Sequence, residues 1–70
     1  MTEQLQITLA AARVNAGMTQ DEAATRLGVN RNTIIKWESG KVIPRTPQMM
    51  ALSQVYGVPI DAILLPQNAT

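Results

Sequence analysis

The 70-residue chain contains no cysteine and no histidine. Without cysteine, neither a disulfide nor a cysteine–zinc staple can support the fold. Without histidine, the commonest general base and the commonest metal ligand are both missing. Only five carboxylates are present (Glu3, Asp21, Glu22, Glu38 and Asp61), and they do not cluster at ligand spacing. Enzymatic chemistry therefore has few candidate parts, and the sequence calls for no cofactor. No apolar run approaches the length of a membrane span, and the opening "MTEQLQ" lacks the basic and apolar regions of a signal peptide. A soluble cytoplasmic protein is expected. The length allows one domain, and a domain of this size buries only about 60% of the surface its unfolded chain exposes.

What charge there is lies unevenly. The net charge is only +1, yet residues 26–45 hold five cations (Arg26, Arg31, Lys36, Lys41 and Arg45) against one carboxylate. The rest of the chain sets Arg13 against the other four carboxylates. Such polarity is either an electrostatic footprint for a phosphate backbone or an ordinary solvated surface.

Glycine and proline divide the chain into four or five short helices. Strand signals are weak, because the β-branched residues do not alternate. Leu5, Leu9, Ala12 and Ala16 recur on one helical face, which predicts a first helix over residues 2–16 ended by Gly17. "TQDE" reads as a capping box, with Thr19 and Glu22 exchanging hydrogen bonds and the acids placed at the positive end of the helix dipole. That second helix carries Ala23, Ala24 and Leu27 inward and stops at Gly28. Asn30 is an N-cap candidate for a third helix over residues 31–39, ended by Gly40. Two short helices joined by so tight a glycine turn make a helix-turn-helix. Thr46 can cap a fourth helix, with Pro47 in its first helical position and Gly57 at its end. "VPIDAILL" predicts a last short helix, and residues 66–70 a frayed tail.

The third helix has two faces. Advancing about 100° per residue, Thr33, Ile34 and Trp37 fall together, and the Ile34/Trp37 pair anchors that face to the core. Arg31, Asn32, Ile35, Lys36 and Ser39 gather opposite. Arginine can bond two acceptors of guanine and asparagine two groups of adenine, so this outer face suits the major groove of DNA. Ile35 either meets a thymine methyl or is one exposed apolar residue of the common kind. Glu38 lies on the shoulder between the faces, as Arg13 does on the first helix.

The ordered set "GMTQDE", "LGV", "TIIKWESGK" and "ALSQVYGVPIDAIL", with Arg13 before it, resembles the phage-repressor (Cro/XRE-type) helix-turn-helix family. The resemblance covers residues 9–64. It implies an all-α fold, a compact five-helix domain of the lambda-repressor-like kind occupying residues 1–65, and a small Cro-like repressor of double-stranded DNA in a prokaryotic cell or phage-infected host. It further implies base or nearby backbone contacts by Asn30, Arg31, Asn32 and Lys36, with Ile35 between them. Backbone contacts fall to Thr19, Gln20, Ser39, Lys41 and Arg45. Arg13 and Glu38 match positions that pair with each other, in agreement with their shoulder placement. A half-buried carboxylate needs such a partner, and the planar fork of arginine supplies it.

The chain departs from the pattern at Arg45 and Thr46, where the family often has a capping residue and a large apolar one. Ala23 is smaller than the usual leucine, a gap that Met49 and Met50 would fill. So small a reader is expected to act as a homodimer on a pseudo-palindromic operator with half-sites ~34 Å apart. Ile60, Ile63, Leu64 and Leu65 are candidates for the dimer surface or for the core. An antitoxin-type regulator, which would also bind a partner protein, is the alternative function.

Overall fold

The first helix begins where Thr8 caps it. A computed structural model of the chain describes residues 6–65. In order, it contains strand β1 (Ile7–Thr8), helices α1 (Leu9–Asn15), α2 (Gln20–Leu27), α3 (Arg31–Ser39) and α4 (Thr46–Tyr56), a 3₁₀ turn (Ile60–Ala62) and strand β2 (Ile63–Leu64). The Thr8 hydroxyl accepts from the Ala11 N–H at 3.1 Å, with Thr8 itself extended at ψ 160°. The first helix is thus shorter than its apolar spacing predicts. Ile7 and Thr8 instead pair in parallel with Ile63 and Leu64, tying the two ends of the described chain together.

That pairing also corrects the expected fifth helix. After Pro59 the backbone makes only the single 3₁₀ turn and then extends from Ile63 to meet β1. The described residues therefore hold four α-helices and a two-stranded clasp. The expected tail, residues 66–70, lies outside them, as do Glu3 and Leu5. No helix among the described residues is long and apolar enough to cross a membrane.

Three of the helix ends close alike. Gly17, Gly28 and Gly57 each take a positive φ, and the next residue's N–H reaches back five positions (Met18 to Arg13, Val29 to Ala24, Val58 to Ser53). Met18, Val29 and Val58 then pack against the core, so each turn also contributes apolar contact. At the end of α3 the corresponding residue is Lys41, which is exposed. The one helix end that carries a cation in place of an apolar plug is that of α3.

The core joins Leu9 and Ala12 of α1, Ala23 and Ala24 of α2, Ile34 and Trp37 of α3, Leu52 and Tyr56 of α4, and Ile63 of β2. The core residues from α1 and α2 include the small Ala12, Ala23 and Ala24, and α3 contributes the bulk of Trp37. Fully burying a large apolar side chain stabilises by roughly 1.5–3 kcal/mol, so Leu9, Ile34 and Leu52 are major contributors. Met49 does pack against this core, but Met50 is exposed and fills no gap beside Ala23. Among the dimer candidates, Ile63 is a core residue and Leu65 packs against it, while Ile60 and Leu64 remain exposed.

Tyr56, the only tyrosine, reports on this packing. Burial, reinforced by the Glu38 charge and opposed by Arg13, pushes its hydroxyl from 10.0 up to about 12. The folded pKa exceeds the unfolded one. The associated stability is therefore whole below pH 10 and is lost as pH rises to about 12. Absorbance titration of tyrosinate should give a midpoint well above that of the unfolded chain, and denaturant melts should weaken across the same window. A midpoint at the ordinary tyrosine value would contradict the burial.

Candidate nucleic-acid interface

The turn at Gly28 sets the geometry. Its φ of 71° is left-handed, and an added Cβ would meet no atom within 4 Å, so backbone conformation alone favours glycine there. This turn lays α3 across the first turn of α2, which it touches at Arg31 and again at Glu38.

Glu38 is the centre of that crossing. Arg13 Nε donates to Glu38 Oε2 at 2.7 Å and Arg13 Nη2 to Oε1 at 3.5 Å. Both side chains are nearly covered, at 14% and 10% exposed. The hydrogen bond to Glu38 raises the pKa of Arg13, against the opposing effect of burial. A third Arg13 nitrogen, Nη1, donates to the Met18 carbonyl at 2.9 Å. One guanidinium thus joins α1, the α1–α2 turn and α3.

Gln20 is drawn into the same network, because its amide Nε2 donates to Glu38 Oε1 at 3.2 Å. One amide hydrogen is therefore committed inward, and the other remains for an outside acceptor. Gln20 and Asp21 are the first two residues of α2, where N–H groups have no intrahelical acceptor. Thr19 builds the capping box: its hydroxyl accepts from the Glu22 N–H at 3.1 Å, and its own N–H donates to Glu22 Oε1 at 2.8 Å. Only its hydroxyl hydrogen is left to donate to an outside acceptor.

On α3, Ile34 and Trp37 are buried, at 1% and 3% exposed. Arg31, Asn32, Ile35, Lys36 and Ser39 are exposed along the other side, and Thr33 is intermediate. Asn30 occupies the N-cap position by its backbone, but its side chain makes no capping hydrogen bond and lies exposed. Ile35 is 37% exposed, in the middle of the polar row. The Ser39 hydroxyl donates back to the Lys36 carbonyl at 3.2 Å, which leaves its oxygen as an acceptor only.

Past α3, Lys41 and Arg45 are exposed on the loop that leads to α4. Arg45, not Thr46 as the sequence suggests, is the N-cap residue of α4 by backbone geometry, and its N–H donates to Gln48 Oε1 at 2.8 Å, so the helix starts one residue early and Pro47 takes its second position. An arginine side chain has no acceptor to complete a capping box, so its guanidinium is not used in the cap.

Two features of this surface have no local signal in the sequence. Gln20 and Glu38 lie 18 positions apart and meet only because of the turn. Asp21 faces Arg31, with Nε–Oδ1 3.8 Å, across a shallow groove also lined by Arg13, Met18, Thr19 and Gln20. Among the described residues, no group of acidic side chains could hold a metal ion.

The helix-turn-helix family profile matches residues 9–63, from the first residue of α1 to the start of β2. The chain belongs to the Cro/XRE-type helix-turn-helix family. Its helix-turn-helix domain is 38% identical over 52 residues to the cryptic phage CTXphi transcriptional repressor RstR of Vibrio cholerae, covering 74% of this chain and 47% of that protein. It is equally similar, 38% over 52 residues, to the HTH-type transcriptional activator BcrR of Enterococcus faecalis, again over 74% of this chain but 26% of the relative. An uncharacterized HTH-type transcriptional regulator of Methanocaldococcus jannaschii is 38% identical over 48 residues, covering 69% of this chain and 73% of its own length. The chain spans about a quarter to a half of the length of the first two relatives. No solved structure matches this helix-turn-helix chain.

Proposed function

We propose that this chain is a DNA-binding transcriptional regulator that reads the major groove with the outer face of α3. One observation carries the reading. Ile34 and Trp37 fix one side of α3 in the core, and the exposed side presents Arg31, Asn32 and Lys36 in a row. Asn30, Arg31 and Asn32 stand at the N-terminal end of the helix, the end that reaches base edges in a helix-turn-helix. The exposure of Ile35 in the same row supports an apolar contact with a thymine methyl. Lys41, Arg45, the Thr19 hydroxyl and the outward amide hydrogen of Gln20 are the groups for phosphate contact, and Ser39 joins them only by giving up its bond to the Lys36 carbonyl. The names of the similar proteins, transcriptional regulators that include a repressor and an activator, support the same reading. Of these, the small Cro-like repressor in the cytoplasm is the form we favour, with no catalytic role.

A single helix-turn-helix presents few base contacts, so the working unit is a homodimer on a pseudo-palindrome. Of the four apolar residues first considered for its interface, Ile60 and Leu64 are the exposed ones. Selection of bound sequences from a random duplex library tests the whole reading. The expected result is an enriched two-fold-symmetric site with half-sites ~34 Å apart. Absence of enrichment, together with no duplex binding at low salt, would refute it. Sedimentation with and without the enriched duplex separately tests the dimer, which a monomer under both conditions would exclude.

A further inference from the structure

Asp21 is out of place on a surface meant for a polyanion. It stands beside Gln20 at the start of α2, its side chain is 78% exposed, and its ion-pair partner is Arg31, itself 60% exposed. Exposed pairs of this kind contribute little to folding. Its place at the helix start is favourable, but Glu22 already supplies a carboxylate there within the capping box. The position of Asp21 bears more directly on how Arg31 is held.

The Arg31 nitrogen that meets the carboxylate is Nε, at 3.8 Å, a charge contact longer than a hydrogen bond. An arginine can present two parallel N–H groups to guanine, either from its two Nη atoms or from Nε with one Nη. A carboxylate nearest Nε competes most with the Nε-and-Nη pose and so favours the two-Nη pose for a base edge. A side chain guided in this way loses less rotamer freedom on binding. The same negative charge disfavours the competing pose, in which a flexible Arg31 would swing onto a neighbouring phosphate and read nothing. We propose that Asp21 is a specificity-determining residue, which steers Arg31 toward a base edge and away from the DNA backbone. This rests on the reading of α3 as the recognition helix.

The test compares the full chain with Asp21→Asn, Arg31→Ala and the double variant, each first checked for an unchanged melt. Affinities are measured for the selected operator, for operators altered at each base pair in turn, and for random duplex. Asp21→Asn is expected to bind random duplex more tightly. It should also lose discrimination about 3- to 10-fold at one base pair, a fraction of what losing a whole bidentate contact costs. That base pair should be the one at which Arg31→Ala loses discrimination, and in the Arg31→Ala background Asp21→Asn should change no ratio.

Equal tightening for every duplex, with all ratios kept, would make Asp21 a general electrostatic penalty and overturn the proposal. A change in ratios that persists without Arg31 would overturn it as well. A wild-type chain with no preference among duplexes would instead overturn the underlying reading of α3, and that outcome is visible before any variant is made.

Discussion

Replacing Glu38 with alanine should destabilise the domain by about 3–5 kcal/mol, and Arg13→Ala by a similar amount. A domain of 70 residues holds roughly 4–10 kcal/mol in total, so either change removes much of it. The reason lies in what is left behind. Without Glu38, the Arg13 guanidinium keeps only the Met18 carbonyl while remaining nearly covered, and the Gln20 amide loses its acceptor. Without Arg13, a carboxylate that is 10% exposed is left with one amide donor. An unpaired charge in such a place costs far more than an exposed pair contributes. Urea melts of both variants provide the measurement, and two neutral results would rule out the clamp.

The double variant Arg13→Met, Glu38→Leu sharpens this. Replacing both partners of a buried pair by apolar residues of similar size is often neutral or better. Most of the single-variant loss should therefore return, less the contributions of the Met18 and Gln20 hydrogen bonds. If the two single losses merely add in the double variant, the residues do not act as a pair.

Local chemistry made the middle of the fold legible. The Thr19/Glu22 box, the glycine stops and the helix at Arg31–Ser39 all follow from contacts within a few residues. So does the burial of Ile34 and Trp37, which helical periodicity predicts. The two ends were not legible, because they depend on each other. Leu5 and Leu9 share a helical face, and nothing nearby says that Thr8 will cap. Nor does anything near Ile63 show that it will extend to pair with Ile7, 56 positions away. The same limit applies at the candidate interface. The outward row on α3 was readable from one helix, whereas the Gln20–Glu38 and Asp21–Arg31 contacts depend on how two helices cross.

The second large effect concerns DNA. Arg31→Ala should weaken binding to the selected operator by about 1–3 kcal/mol per half-site and relax the preference at one base pair in each. It should leave the other base preferences in place, because Asn32 and Lys36 still face outward. Lys41→Ala should behave differently. Lys41 follows Gly40 outside the helix, exposed where the other helix ends pack an apolar residue against the core. A phosphate contact from there carries no sequence information. Its loss should weaken all duplexes alike and reduce the slope of log affinity against log salt by about one per subunit. The wild-type slope should itself be steep, since each neutralised phosphate releases counterions. Titrations of both variants against operator and random duplex at several salt concentrations separate the roles. If both variants lose affinity in the same proportion on every duplex, Arg31 acts only as a charge, and the outer face of α3 binds DNA without reading it.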